Sequence, residues 1–355
     1  MPRPALDDNR LLTSVDKKDT YSSIKKISIQ FEGGYRAAHF LNLDFEPSKL
    51  RSIVFAGMGG SNLAGKIIHS LSPFLLDLPF EVVANYRLPP YVNKNTLVII
   101  SSYSGNTQET ISCALDAKNR SARIICLTSG GQLEKIAVEN HWSLIKLDPA
   151  LNQSKIPRLG LFISLGATIG LTERLSSAHS PLNPKQLSFA ISRALDQTNK
   201  DIPTESNPAK SLAEKYQRTG IVLIGANHLE GVADSVKNLI NETAKTFSCF
   251  LPLPDLNHHF LDGLIFPERL KESVSFIILN SSLYPQAIQR RVELTKDILL
   301  KQKHRVTIIR PESTDPIGQT LESLAFFTLF SYYLSMLHHV DPGATPWVDY
   351  LKNHL

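Results

Sequence analysis

Four hydroxyl side chains are crowded into seven residues directly after an apolar run. They are Ser101, Ser102, Ser104 and Thr107. The apolar run at 97–100 is typical of a buried strand in a parallel sheet, and Gly105 allows the chain to turn sharply. Asn106 or Thr107 can cap a following helix. Because free N–H groups at a helix start attract anions, the segment predicts a phosphate-binding turn; the alternative is an ordinary serine-rich cap.

A glycine-rich turn, Gly-Met-Gly-Gly-Ser at 57–61, follows another short apolar strand at 52–56. Gly59 and Gly60 would let backbone N–H groups approach a ligand closely, and Ser61 adds a hydroxyl. The pattern lacks the Gly-Lys-Ser/Thr of a nucleotide-binding P-loop and the acidic residue of a dinucleotide fingerprint. Both turns are expected at the carboxyl ends of parallel strands, so they could line one crevice. The spacing favours Ser102, Ser104 and Thr107 as phosphate ligands.

The elements that must position these turns alternate between strand and helix. Strands are predicted at 52–56, 80–84, 97–100, 123–128, 144–147, 220–225, 274–280 and 305–309. The helices predicted around them include 21–31, 62–71, 108–119, 186–197, 209–217, 232–245, 285–303 and 321–339. This alternation predicts an α/β fold with two doubly wound parallel sheets.

Composition excludes several classes of protein. The 355 residues are 42% hydrophobic and 20% charged, which fits a folded globular chain. The formal charge of +5 is spread along the chain, which disfavours nucleic acid as a partner. We find neither a signal peptide nor a membrane-spanning run and expect a cytoplasmic protein without membrane contact. Three separated cysteines, at 113, 126 and 249, have no metal-ligand spacing.

In this order and spacing, further segments resemble the sugar isomerase (SIS) domain and, more narrowly, the bifunctional phosphoglucose/phosphomannose isomerase family. Besides the two turns, the segments that carry the resemblance are Tyr-Arg-Leu-Pro at 86–89, Pro157-Arg158, Asn-Glu-Thr-Ala-Lys at 241–245, Pro-Leu-Pro-Asp-Leu-Asn-His-His-Phe-Leu-Asp-Gly at 252–263, Val-Asp-Pro at 340–342, and Leu351-Lys352. The resemblance runs from about residue 30 to the end. It implies an N-terminal arm at 1–35, SIS domains at 36–175 and 186–340, and a C-terminal tail or helix at 341–355 that completes the active site. Lys66, Asp255 and His259 depart from the family pattern.

The resemblance also implies roles for individual residues. Glu242 would move a proton between C1 and C2 of the sugar, provided that partial burial raises its pKa. His258 would open the ring and would come from the other subunit of a homodimer. Arg158 would stabilise the enediolate, and Lys352 would contact the substrate. A hydroxyl or space at Thr345 would let both C2 epimers react.

These roles predict a metal-independent aldose–ketose isomerase that needs no cofactor. Its substrates would be glucose 6-phosphate, fructose 6-phosphate and mannose 6-phosphate, interconverted through a cis-enediol. Two alternatives stay open at this point. One is a non-catalytic phosphosugar-binding regulator, and the other is an isomerase of a different sugar phosphate.

Overall fold

The computed structural model describes residues 4–176, 181–352 and 354. These residues form two compact units. The described residues between 26 and 189 form the middle unit, whereas those up to Lys25 and those from Ala190 onward together form the outer unit. The outer unit is therefore discontinuous in sequence. The predicted domain limits stay a prediction, and part of the stretch at 176–185 lies outside the described residues.

The helices and strands can be given in chain order. The helices are α1 (Asn9–Val15), α2 (Thr20–Ile24), α3 (Ile27–His39), α4 (Leu63–Leu75), α5 (Gln108–Asn119), α6 (Gly131–Glu139), α7 (Leu161–Leu175), α8 (Pro184–Thr198), α9 (Pro208–Tyr216), α10 (Glu230–Ala244), α11 (Leu270–Ser273), α12 (Gln286–Lys301), α13 (Pro316–Leu337) and α14 (Pro346–Lys352). The strands are β1 (Ser52–Gly57), β2 (Phe80–Val83), β3 (Thr96–Ser101), β4 (Arg123–Thr128), β5 (Ser143–Lys146), β6 (Gly220–Gly225), β7 (Ser248–Pro252), β8 (Val274–Leu279) and β9 (Arg305–Ile309).

The middle unit is built on a parallel sheet of five strands in the order β2-β1-β3-β4-β5. The central strand β3 is buried along its whole length, as its apolar run predicts. Helix α3 packs against α7, and α4 packs against α7 and β2. Since β1 and β3 are neighbours in register, Gly57 lies beside Ser101 at their carboxyl ends. This pairing brings the starts of the two predicted turns together.

The outer unit contains a parallel sheet of four strands in the order β7-β6-β8-β9. Helix α13, buried over almost all of its length, packs against α9 and α10. The segment before Lys25 is held by the buried Lys210 side chain. Its ammonium donates hydrogen bonds to Asp7 Oδ1 at 3.0 Å and to the carbonyls of Lys200 and Ile202, each at 2.8 Å. All three ammonium hydrogens are thereby used.

The predicted fold class, two parallel α/β sheets, is confirmed. Two local predictions were wrong. The predicted helix at 21–31 is two helices, α2 and α3, and the break between them falls at the boundary between the two units. Strand β7 was missed because it is a half-buried edge strand without alternation of apolar and polar residues.

Candidate active site

Two hydrogen bonds join the two turns at the carboxyl ends of β1 and β3. The backbone N–H of Tyr103 donates to Ser61 Oγ at 2.9 Å. The Ser101 hydroxyl donates to the carbonyl oxygen of Ser61 at 3.1 Å. Gly59, with φ of +51°, sets the path of the first turn. The predicted crevice therefore has both walls fixed against each other within the middle unit.

Inside the hydroxyl turn, the hydroxyl groups also organise the backbone. The Ser102 hydroxyl is buried; it donates to Thr107 Oγ1 and accepts from the Gly105 N–H, both at 3.1 Å. Ser104 is exposed, and its hydroxyl accepts from the Asn106 N–H at 3.3 Å. The turn thus combines one internal and one outward-facing serine.

Among the described residues, neither Thr107 nor Asn106 caps α5 with its side chain. Thr107 occupies the capping position, yet its side chain makes no capping hydrogen bond within the described structure. Asn106 does not cap α5 either; its Oδ1 accepts from the Gln132 N–H at 3.0 Å, at the start of α6. The first N–H groups of α5 therefore keep donor capacity suited to an anion.

Gly105 is required at the tip of this turn. Its φ is +71°, and a Cβ there would lie 1.8 Å from the carbonyl oxygen of Gly130. The N–H of Leu133 donates to the Gly105 carbonyl at 2.8 Å. Both the positive φ of Gly105 and its close approach to Gly130 exclude a side chain here. The hydroxyl turn therefore packs directly against the start of α6.

Arg158 is brought to the same end of the sheet. The residue is only 5% exposed and lies in the short turn Pro157–Gly160 that leads into α7. A Cβ on Gly60 would lie 3.4 Å from Arg158 Cα, so the two backbones are in near contact. In the middle unit, the glycine turn, the hydroxyl turn and the buried Arg158 therefore lie at the same end of the sheet.

Tyr103 was missed by the sequence analysis although it joins these three parts. Its hydroxyl accepts from Asn152 Nδ2 at 3.1 Å, and its ring packs so closely on Gly160 that a Cβ there would lie 2.5 Å from Cε2. Burial raises the pKa of Tyr103. Its position between two serines of the turn was the available signal.

Two buried side-chain oxygens beside the turns have no hydrogen-bond partner among the described residues. They are Oδ1 of Asn62, which follows the glycine turn, and Oγ1 of Thr110, in the first turn of α5. Buried polar atoms are nearly always satisfied in folded proteins. Each of these two oxygens keeps the capacity to accept a hydrogen bond from water or from a polar ligand.

The remaining predicted site residues lie in the outer unit. Glu242 is half-buried in the last turn of α10. Lys245, left-handed at the helix end with φ of +52°, donates from Nζ to the carbonyls of Glu242 at 2.9 Å and Asp341 at 2.7 Å. Two segments that carried the family resemblance are thus tied together by one lysine.

His258 is exposed at the end of the short turn Asp255–His258 that follows β7. The preceding Asn257 fixes this turn to α12, because its amide nitrogen donates to Thr295 Oγ1 at 2.8 Å. Two of the departures from the family pattern contact each other here, since His259 Nε2 lies 3.4 Å from Asp255 Oδ2. They therefore form one paired change beside His258.

Thr345 and Lys352 belong to the start and the end of the exposed helix α14. The Thr345 hydroxyl donates to Asp349 Oδ1 at 3.3 Å. Lys352 lies seven residues later and hence on a similar helix face.

Across the part of the chain that is described, no three His, Cys, Asp or Glu side chains are grouped to hold a metal ion. None of the described helices has the length and apolar character needed to cross a membrane.

Comparison with known families matches both halves of the chain. The SIS domain family matches residues 48–145. The bacterial phospho-glucose isomerase C-terminal SIS domain family matches residues 205–355. The first match contains both turns of the crevice, and the second contains Glu242, His258 and Lys352.

Full-length relatives agree with these matches. A bifunctional phosphoglucose/phosphomannose isomerase from Caldicellulosiruptor bescii is 28% identical, with 94% of this chain and 98% of that protein aligned. A protein of the same name from Aquifex aeolicus is 25% identical over 91% of this chain and 96% of its own length. Among solved structures, a hypothetical protein from Thermus thermophilus superposes with a TM-score of 0.71 at 13% identity, covering 97% of this chain and 92% of that one. The last comparison supports the fold alone.

Proposed function

Since the chain belongs to the bifunctional phosphoglucose/phosphomannose isomerase family, we propose that it is an aldose–ketose isomerase of hexose 6-phosphates. It interconverts glucose 6-phosphate and mannose 6-phosphate with fructose 6-phosphate. One observation carries the proposal: the two hydrogen-bonded turns and the buried Arg158 share one end of one sheet.

In this proposal the two turns anchor the substrate. Hydroxyls of the two turns, glycine-turn N–H groups and the open start of α5 hold the phosphate, so that binding energy remote from the reacting carbons positions them. The residues assigned to this task are Gly59, Gly60, Ser61, Ser102, Ser104 and Thr107. Arg158 is permanently charged and therefore stabilises the developing enediolate without exchanging a proton.

Glu242 and His258 are assigned the proton transfers. His258 passes a proton to the ring oxygen as the ring opens, and Glu242 removes the C2 proton of the aldose. The resulting cis-enediol is planar at C2, so glucose and mannose phosphates give the same intermediate. Glu242 returns the proton to C1 while the proton on O2 passes to O1, and the C2 carbonyl of the ketose forms. Lys352 contacts the substrate, and Thr345 leaves room for both C2 epimers.

We propose further that His258 acts across a homodimer. Exposed apolar residues flank it in sequence, with Ile265 63% and Phe266 73% exposed. Helix α14 exposes Trp347 by 82% and Leu351 by 57%. Exposed large apolar side chains are typical of interfaces, and a second copy of the chain is the partner that supplies a histidine in trans.

The catalytic assignment is tested by Glu242→Gln in a coupled assay that starts from fructose 6-phosphate, contains EDTA and reads both aldose products. Turnover should fall by about 10²–10⁴-fold while phosphosugar binding persists, because only the proton-transfer group is lost. Glu214→Gln, on α9, is the matched control and should keep full turnover. Near-wild-type turnover by Glu242→Gln would remove Glu242 from the mechanism.

The same assay discriminates the alternatives. Binding without turnover by the unmodified chain would favour a phosphosugar-binding regulator.

To test action in trans, inactive Glu242→Gln and His258→Ala chains are dissociated, mixed and reassembled. Half of the dimers are then mixed, and each has one intact site, so about a quarter of wild-type activity returns. If His258 acted within its own subunit, mixing would restore nothing.

A further inference from the structure

We propose that the outer unit contains a second site for a phosphomonoester, at the carboxyl ends of β8 and β9. A cavity of about 710 Å³ opens there, within the volume range of small-molecule sites. Arg290 of α12 and Arg310, which follows β9, line it from different elements. This inference goes beyond the isomerase reaction and uses none of the residues assigned to it.

The cavity lies at the carboxyl edge of its sheet, the kind of edge at which the two turns lie in the middle unit. In the middle unit, the phosphate-binding turn follows β3, which pairs with β1 and β4. In the outer unit, β8 holds the corresponding place between β6 and β9 and is followed by Asn280, Ser281 and Ser282. Ligands of parallel α/β sheets bind at such strand ends.

The corresponding crevice between the β6 and β8 turns is filled by side chains. The Ser281 hydroxyl donates to Gln319 Oε1 at 2.5 Å, and His228 Nε2 lies 2.8 Å from the same oxygen. Both His228 and Ser281 are buried. A ligand of the outer unit must therefore bind further along the sheet edge, over β8 and β9, where the cavity is.

The charge of the lining suits a phosphate. Arg290 makes no hydrogen bond or ion pair with any residue that the structure describes, so its guanidinium is available. Arg310 pairs with Glu293 at 2.9 Å, and Lys296 holds the same carboxylate at 2.6 Å. The lining has a net positive charge, because Arg290 and Arg310 face one carboxylate, Glu293, that Lys296 already neutralises. A guanidinium group can also donate two parallel hydrogen bonds to phosphate oxygens.

Polar side chains suited to sugar hydroxyls complete the cavity. The Ser282 hydroxyl and the Gln286 amide line it and bond to no other described residue. The volume exceeds what a single phosphate fills, so we assign the site to a phosphomonoester with a polar group of sugar size. Free phosphate shares the arginine chemistry, and the experiment separates the two.

The test counts binding sites by equilibrium dialysis of the full chain with labelled glucitol 6-phosphate, which cannot isomerise, and separately with labelled inorganic phosphate. Two sites per chain are expected. Arg290→Gln should weaken one of them by about tenfold or more and leave the other unchanged. Arg218→Gln removes an exposed arginine outside the cavity and should leave both. Arg290 bonds to no described residue, so its replacement should not disturb folding.

The outcomes separate this site from the proposed reaction. Isomerase turnover by Arg290→Gln should match that of the unmodified chain. If both Arg290→Gln and the double variant with Arg310→Gln keep the wild-type number and affinity of sites, the inference is overturned. One wild-type site that disappears in Arg290→Gln would support this inference and count against the crevice as the phosphate anchor. Equal affinity for inorganic phosphate would identify free phosphate as the occupant.

Discussion

Replacing Gly160 by alanine would push a methyl group into the ring of Tyr103. The backbone at Gly160 has φ of −89°, so alanine fits the local conformation. Its Cβ would nevertheless lie 2.5 Å from Tyr103 Cε2, whereas carbon atoms pack at about 3.5–4.0 Å. The ring must therefore retreat by about 1 Å.

Two opposing effects set the change in stability. Overpacking costs about 1–3 kcal/mol, and replacing glycine at a compatible position returns about 0.4–1 kcal/mol. We expect a net loss of about 1–2 kcal/mol in the free energy of unfolding. The larger effect should be on binding, because the Tyr103 N–H holds Ser61 at 2.9 Å and moves with the ring. Affinity for glucitol 6-phosphate should fall about tenfold.

The measurements are urea unfolding and calorimetric titration with glucitol 6-phosphate. Tyr103→Leu makes room for the methyl group, so Gly160→Ala should cost about 1–2 kcal/mol less in that background. Gly263→Ala, where an added Cβ meets no described atom within 4 Å, is the control for stability. An equal cost of Gly160→Ala in both backgrounds, or unchanged affinity, would refute the role assigned to Tyr103.

Two further predictions concern the anchor of the N-terminal segment. Lys210→Met should lower the free energy of unfolding of the outer unit by about 3–5 kcal/mol, because Asp7 loses its buried cation. Hydrogen exchange should show the loss of protection in the outer unit, and a loss under about 1 kcal/mol would contradict the prediction. Burial alone would raise the pKa of Asp7, but hydrogen bonds from Lys210 and Thr204 lower it below its usual value. Asp7→Asn should therefore lower the free energy of unfolding at pH 7. The difference in this free energy between the variant and wild type should shrink as the pH falls below about 4. A difference in urea unfolding that does not depend on pH would exclude this linkage.

Much of the sheet architecture could be predicted because buried strands are short apolar runs between turn residues. Strands β4, β6 and β9 match their predicted limits residue for residue. The pairing of the two predicted phosphate-binding turns also followed, since carboxyl ends of parallel strands share one edge. These features depend on local sequence and on one general rule of topology.

The other features depend on contacts between distant residues. Asn106 caps α6 instead of α5 because the fold brings Gln132 to its side chain. Tyr103 gains its role from Ser61, Asn152 and Gly160, none of which is near it in sequence. Strand β7 is an edge strand that pairs with β6, and its own residues lack a strand pattern. The spacing of residues along the chain does not predict such contacts between residues that are distant in sequence.

The discontinuity of the outer unit has a consequence for the order of events during synthesis. Asp7 is made before Lys210, the residue that neutralises it, which follows about 200 residues later. The whole middle unit emerges in the interval and can fold before its flanks meet. At roughly 5–20 residues per second, the first segment waits about 10–40 s for its partner. A released chain truncated just before Lys210 should therefore expose the segment that contains Asp7 to protease, whereas the middle unit, which ends at Phe189, should be protected.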